Sequence, residues 1–501
     1  MATDRKRPVD RVLIAEDATL FDAVRVIDEG GFGICLVTTP DRRLVGVLTD
    51  RDTRRATLGG AAPDAPIAPF VMRRPVTAST EADEDEIFAL MQATSKHQIP
   101  ILDAQNRVVD LRIVGEFIGT IPLVVPNLGG NEWDYVKQCL DTNFVSSVGP
   151  FVERFEQRVS EFVGARHGVA CVSGTAALHI ACLVCDMRPG DEVLMPALTF
   201  IAPANAVAYC GARPVFLDSA RDNLGLDPAA LEAFLRRSTE RAADGSLRNR
   251  QTGARIAAAI IVHAFGHPAD MDALNEICGR YRLTLIEDAA ESLGSTYRGR
   301  QTGALSTIGA LSFNGNKIVT TGGGGMVVTN DERLARRAHH LTTQAKSDSL
   351  RYEHDEVGYN YRLSNVLAAI GMAQMEKFAA HFERKRTIAR RYTRQIADLP
   401  GCMMFEEQPW AQSNYWLNLL LVPPERKEPL LAHLIESDIM ARPVWGLINR
   451  QPMYRNCEAG PLPVAESLYA GGISLPSSVT LSEGEIEHIC AAVRRFLRKA
   501  A

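Results

Sequence analysis

Hydrophobic and polar positions change their rhythm along this chain, and the changes divide it. Residues 12–52 read as a polar start, an amphipathic helix and two apolar strand-like runs parted by a polar turn: "EDATLFDAVRVIDEGG", "ICLVT", "PDRR" and "LVGVLTDRD". Residues 76–112 repeat that order as "EADEDEIFALMQATSKHQ", "IPILD", "AQNR" and "VVDLRI". One supersecondary unit is thus used twice. The segment "GTIPLVVP" (119–126) reads as a linker, because its prolines interrupt both helix and sheet pairing. Beyond it, "DEVLMP", "ARPVFLD", "AAAIIVHAFG" and "LTLIED" are short apolar runs that end in polar residues, each followed by a helical pattern. That grammar predicts an α/β domain with a mostly parallel sheet covered on both faces. From about 375 to 400, Phe378, Phe382, Ala389, Tyr392 and Ile396 fall at helical spacing among arginines, which predicts a long connecting helix with a solvated basic face. "YWLNLLLVP" and a last amphipathic helix predict a smaller α+β domain. The expected boundaries are 1–118 for the repeat pair, 119–126 for the linker, 127–375 for the large domain and 376–501 for the small one.

Composition narrows the function classes. The 501 residues exceed what one core usually serves. Lys plus Arg total 55 against 60 for Asp plus Glu, a formal net charge of −5, which speaks against a chain built to coat nucleic acid. The ten cysteines lack zinc-site pairing and disulfide-scaffold density, so reduced, buried thiols are expected. No apolar run is long enough for a signal peptide or membrane span, and the expected location is the cytoplasm.

The first repeat closes with "GVLTDRDTRRA". This resembles the closing motif of CBS domains, in which a threonine and an aspartate three residues later contact the ribose and phosphate of a nucleotide. Thr49 and Asp52 are the matching residues, and an adenine nucleotide is the ligand they imply. The second repeat ends "VVDLRIVGE" without that pair, so at most one of two sites is equipped and weak or absent binding is expected. A packing and dimerising module with no ligand is the alternative.

In the large domain, four segments carry unusual polar residues where strand-like runs end, and open parallel sheets bind ligands at that edge. "CVSGTAALHIACLV" places Ser173, Gly174 and Thr175 before a helix, where free N–H groups suit a phosphate; an ordinary N-cap would look the same. In "LTLIEDAAESLGS", Glu287 and Asp288 end a run, and a carboxylate there either holds a cationic ring nitrogen or caps the next helix. In "MPALTFIAPANAV", Phe200 either stacks on an aromatic ligand or packs in the core. In "SFNGNKIVTTGGGGM", Lys317 lies beyond a strand-like run, where a partly dry site would shift its amine toward the nucleophilic form, and the four glycines that follow let the backbone close around what it holds; alone, such a lysine usually faces water. Taken together these are a phosphate cradle, an acid for a pyridine nitrogen, an aromatic plate and an imine-forming lysine, which is the equipment for pyridoxal phosphate.

From about residue 121 to the end, the chain resembles the DegT/DnrJ/EryC1/StrS family of sugar aminotransferases, in its legionaminate/bacillosamine branch. The matching segments are "IPLVVPNLGGNEWDYV", "SGTAALH", "LTFIAPANAV", "IEDAAESLGS", "SFNGNKIVTTGGGGM" and "GYNYRLSN". The resemblance implies the fold-type I architecture, with Lys317 as the Schiff-base lysine and Asp288 as partner of the pyridine nitrogen. It implies Phe200 over the ring, and Gly174, Thr175, Ala176 and Ser312 around the phosphate. Asn360 would reach the phosphate from a neighbouring subunit, which implies a homodimer. Glu291 departs from the glutamine or histidine of many relatives and would lie by the cofactor's phenolic oxygen, sharing a proton with it. The implied reaction moves the amine of L-glutamate onto a nucleotide-linked 4-keto-6-deoxy sugar, expected to be UDP-2-acetamido-2,6-dideoxy-hexos-4-ulose. A GDP-linked acceptor of the perosamine type and a nucleotide sensor with an inactive fold are the alternatives. The family's dehydratases carry histidine in place of the lysine, so Lys317 argues against that subset.

Overall fold

The computed structural model describes residues 9–499 apart from 31, 95, 97, 114–119 and 349. The basic opening "MATDRKRP", the "VGE" that closes the second repeat, and Gly119 of the expected linker lie outside the described residues. The chain divides into two compact units, Met1–Thr120 and Ile121–Ala501.

The first unit is the expected repeat. Strand β1 (Leu13–Ala15), helix α1 (Leu20–Gly30), β2 (Ile34–Thr38), β3 (Leu44–Thr49) and α2 (Asp50–Leu58) form the first copy; β4 (Ala78–Ser79), α3 (Glu84–Thr94), β5 (Gln98–Leu102) and β6 (Val108–Ile113) form the second. In each copy the first strand runs parallel to the second and the third returns antiparallel. Ile34, Leu36 and Val47 of one copy share a core with Val108 and Leu111 of the other, so neither sheet buries its apolar face alone.

The second unit begins earlier than its expected linker ends. Ile121 is buried and bridges to Ile439, and the carbonyl of Leu123 accepts from the N–H of Ser477 at 2.6 Å. The prolines at 122 and 126 leave these alternate carbonyls and amides free to pair, so the stretch runs as a bound edge.

The large lobe holds a seven-stranded sheet. After α4 (Glu132–Asp141) and α5 (Pro150–Val163) come β7 (His167–Cys171), α6 (Gly174–Val184), β8 (Glu192–Pro196), α7 (Ala202–Tyr209), β9 (Arg213–Leu217), β10 (Ile256–Val262), β11 (Thr284–Asp288), β12 (Ile308–Ser312) and β13 (Gly325–Thr329). The strand order is β7-β13-β12-β11-β10-β8-β9, and β13 alone runs against its neighbours. Val193, Met195, Ile260, Ile286 and Val327 pack one face against Ala177, Leu178 and Ala181 of α6. Small residues on that helix let it lie close to the sheet. Since β13 starts where its neighbours end, Cys171, Pro196, Asp288, Ser312 and Gly325 all stand at one edge.

Helix α8 (Asn365–Glu376) passes into the 19-residue α9 (Phe378–Ile396), whose buried stripe continues through Ile388 and Tyr392 as its periodicity predicts, and also takes in Lys385. The small lobe is a four-stranded antiparallel sheet built from β14 (Met403–Met404), β15 (Asn418–Leu421), β16 (Arg442–Pro443) and β17 (Gly472–Leu475). Leu420, Ile473, Leu430, Ile489 and Tyr392 form its core. All ten cysteines are unbridged and seven are buried. Among the described residues no helix is long and apolar enough to cross a membrane.

Candidate active site

The carboxyl edge of the sheet and the small lobe enclose a cleft of about 640 Å³. Its lining brings together Gly174, Thr175, Phe200, Asp288, Glu291, Ser312 and Lys317, residues spread over more than 140 positions of sequence. Ser173 adopts extended backbone angles and its hydroxyl accepts from the N–H of Ala176 at 3.1 Å, capping α6. The N–H groups of the first turn have no intrahelical partners and aim along the helix axis into the cleft, together with the positive end of the helix dipole. Ala176 itself is buried behind that turn, contributing its amide to the cap. At Gly174 an added Cβ would stand 2.8 Å from the Cβ of Ser312, so the absence of a side chain is what lets the serine hydroxyl approach the turn.

Asp288 closes β11 and Glu291 follows one turn later, both nearly inaccessible to water. Glu287 alternates to the other side of the strand, where its carboxylate pairs with Nε2 of His263 at 2.8 Å and accepts from the N–H of Leu305. That leaves Asp288 facing the cleft, where its carboxylate accepts from the N–H of Ala290 at 3.0 Å. Burial, reinforced by the charge of Glu291, pushes the Asp288 carboxyl up to about 7. Burial likewise raises Glu291. One of its oxygens, Oε2, accepts from the N–H of Phe265 at 2.8 Å, and the other lies 3.4 Å from Nζ of Lys317. The Lys317 side chain is 12% exposed, and desolvation lowers its amine below the usual lysine value, against the pull of Glu291 and Asp288. An amine so placed is nearer to its nucleophilic form than one in water.

Phe200 is 54% exposed at the mouth, edge-on to Trp445 at 6.5 Å. Trp445 stacks on Phe265 with ring centres 4.3 Å apart, and Phe265 holds a left-handed backbone angle, φ 57°. Such strain in a buried aromatic persists only where the surroundings impose it. Sequence reasoning missed Thr199, Trp416 and Arg442. Thr199 sits at the same strand end as Phe200, and its buried hydroxyl has no protein partner although it lines the cleft. Trp416 lies under Lys317, and Arg442 stands exposed in the lining, its guanidinium donating to the neighbouring carbonyl of Ala441. Asn360 is exposed, away from this lining, its backbone bridged to Thr343. Arg362 pairs with Glu156 and is likewise outside the cleft. In the first unit Thr49 and Asp52 bond to each other: the hydroxyl of Thr49 donates to Oδ2 of Asp52 at 2.6 Å, and the two cap α2 reciprocally.

The sequence profile of the DegT/DnrJ/EryC1/StrS aminotransferase family matches residues 126–494. The chain belongs to that family. A CBS-domain profile matches residues 6–59, the first repeat. EpsN from Bacillus subtilis is 38% identical over 372 residues, covering 73% of this chain and 92% of EpsN. GDP-perosamine synthase from Caulobacter vibrioides is 36% identical over 381 residues, covering 75% of this chain and 98% of that enzyme. The crystal structure of a DegT/DnrJ/EryC1/StrS aminotransferase from Brucella abortus superposes with a TM-score of 0.68 at 28% identity, covering 73% of this chain and 95% of that one. The protein is therefore a pyridoxal phosphate-dependent sugar aminotransferase with an N-terminal CBS element.

The cleft of this DegT/DnrJ/EryC1/StrS aminotransferase fits the cofactor on its own evidence. The first turn of α6 and the orphaned Thr199 hydroxyl offer donors to a phosphate. A buried acid in the same lining, Asp288, offers a partner to a protonated ring nitrogen, and the desolvated amine of Lys317 shares that lining.

Proposed function

We propose that this aminotransferase moves the amino group of L-glutamate onto the C4 ketone of a GDP-linked 4-keto-6-deoxy sugar, releasing 2-oxoglutarate and the 4-amino sugar nucleotide. The convergence of Lys317 and Asp288 in one buried cleft below a capped helix carries this reading. Gly174, Thr175, Ser312 and Thr199 would bind the cofactor phosphate, with the partner subunit's Asn360 completing the cradle in a homodimer. Phe200 would cover the ring. When bound, pyridoxal phosphate supplies an electron sink that stabilises charge left on the carbon next to the transferred nitrogen.

Each other task falls to a side chain. Asp288 would pair with a protonated ring nitrogen, whose charge would favour the ionised carboxylate that burial disfavours. Lys317 would hold the cofactor at rest, and once freed its amine would move a proton to or from the substrate carbon. Glu291, held by the Phe265 amide, would share a proton with the cofactor's phenolic oxygen. The apolar walls from Leu123, Val124 and Val444 would keep water from the reacting carbon.

The GDP-linked acceptor is supported by the relationship to GDP-perosamine synthase. The UDP-linked 2-acetamido sugar expected from the motifs is the second reading. Mixing the protein, loaded with pyridoxamine phosphate, with GDP- and UDP-linked 4-keto-6-deoxy sugars ranks the two. Faster loss of the amine to the GDP sugar supports the proposal, and turnover of the UDP sugar alone overturns that choice of base.

A further inference from the structure

The amine of Lys317 rests in a built cradle whose second wall is aromatic. Its Nζ lies 3.7 Å from the centre of the Trp416 ring and 3.4 Å from Oε1 of Glu291. An ammonium over an indole face is attracted by the ring quadrupole, most strongly where water is excluded, and Trp416 is only 5% exposed. Three hydrogen bonds fix that ring and its backbone. The indole Nε1 donates to the carbonyl of Asn316 at 2.8 Å, beside Lys317 in the chain. The main-chain N–H of Trp416 donates to Oδ1 of Asn414 at 2.8 Å. Its carbonyl accepts from Nζ of Lys385 at 3.0 Å, and that buried ammonium is completed by the carbonyl of Ser477 at 2.7 Å.

Asn414 joins the two walls. While its oxygen holds Trp416, its Nδ2 donates to the carbonyls of Glu291 at 2.9 Å and Leu293 at 3.0 Å. The main chains that carry the Glu291 carboxylate and the Trp416 indole on either side of Lys317 are therefore tied together by one carboxamide. A long, flexible side chain that must be unlinked and relinked in every turnover gains from such a fixed resting place, because reaching the reacting carbon then needs no search. The attraction is to the charged form, so the ring holds the ammonium and lets the neutral amine leave.

We propose that Trp416 is a positioning residue that receives the Lys317 ammonium whenever this side chain is not linked to the cofactor, holding it on the indole face opposite Glu291. The proposal rests on Lys317 being the linking lysine. Linking joins the lysine nitrogen to the cofactor's aldehyde carbon, with loss of water, whereas pyridoxamine phosphate carries an amine at that carbon and binds without Lys317. The two forms of the cofactor thus separate positioning of the lysine from the architecture of the cleft.

The full-length protein, freed of cofactor, is mixed with pyridoxal phosphate, quenched with borohydride at successive times and assayed by mass spectrometry for the Lys317 adduct; pyridoxamine phosphate affinity is measured by calorimetry. Across a pH series, Trp416→Leu is expected to move the rise of adduct formation about one pH unit lower, because the ammonium loses its indole partner, while pyridoxamine phosphate affinity stays within about twofold, with Trp416→Phe shifted about half as far. An unshifted pH profile of adduct formation in Trp416→Leu, or a loss of pyridoxamine phosphate affinity that accompanies the shift, overturns the proposal. Should Trp416→Leu not fold, Trp416→Phe decides on the same two measurements. A wild-type protein that binds pyridoxamine phosphate yet forms no adduct at Lys317 refutes the underlying assignment of the lysine instead.

Discussion

A Cβ placed on Gly325 would stand 2.3 Å from the carbonyl oxygen of Ser173 and 2.6 Å from the nitrogen of Gly174. The last residue of the glycine run is thus pressed against the turn that opens α6, and the run closes β13 onto the candidate phosphate cradle. Gly325→Ala is expected to push that turn aside, costing ~1–3 kcal/mol as overpacking does, and to weaken pyridoxal phosphate binding. Thermal melting with and without the cofactor checks both. A melting point and affinity equal to wild type would contradict it.

The buried acids predict a pH dependence in the cofactor-free protein. Asp288 rises from its ordinary 3.8 to about 7 on folding, and Glu291 moves the same way. Between those values the native state binds more protons than the unfolded chain, so stability falls as pH rises from about 4 to about 7. Lys317, lowered by burial, acts only at higher pH, where stability recovers as the unfolded amine loses its proton. Buried His267, lowered to about 3, works in the opposite sense up to its ordinary 6.5, so the acids' share is read as a difference: from pH 5 to pH 8 the melting temperature of the cofactor-free protein should fall by several degrees relative to that of Asp288→Asn. Bound pyridoxal phosphate should narrow that difference, by giving the carboxylate a cationic partner. The same variant, folded, is expected to lose about 10²–10³-fold in kcat, measured with glutamate and the keto sugar.

Much of this could be read from the chain because the signals were local. Each run that ended in a polar residue became a strand ending at the shared edge, and Ser173, Asp288 and Lys317 announced themselves by standing where such runs stop. Trp416 gave no such signal. Its run, "YWLNLLLVP", reads as an ordinary strand, and only the fold brings the indole beneath a lysine 99 positions earlier. Thr199 was overshadowed by Phe200, since an unpartnered hydroxyl is a property of surroundings and not of sequence. Ile121 and Leu123 looked like linker because the prolines between and after them suggested interruption, whereas alternate backbone groups pair with the small lobe.

Asn360 stands exposed and outside the cleft lining, and Phe144, Val148 and Val357 are large apolar side chains left open to solvent. If the cradle is shared across a dimer, Lys317→Ala and Asn360→Ala proteins, each impaired alone, should complement when refolded together. Half the dimers would be mixed, each with one intact site, restoring roughly a quarter of wild-type activity. No recovery on mixing, with dimers present by sedimentation, would place Asn360 in its own subunit's chemistry or in none.

Thr49 and Asp52 satisfy each other as the cap of α2, which gives the pair a structural task whether or not a nucleotide visits. Thr49→Ala should therefore destabilise the N-terminal unit by ~1 kcal/mol, since an N-cap hydroxyl is lost with no replacement acceptor for the Asp52 amide. A ligand contact would add a second effect. In the full chain, calorimetric titration with adenine nucleotides should give little or no heat, and what heat there is should vanish in Thr49→Ala. Tight binding by the wild-type protein would mean that the cap opens to receive phosphate, because the Thr49 hydroxyl that now donates to Asp52 would have to turn to the ligand. The aminotransferase rate measured beside that titration would then report whether the CBS element speaks to the cleft.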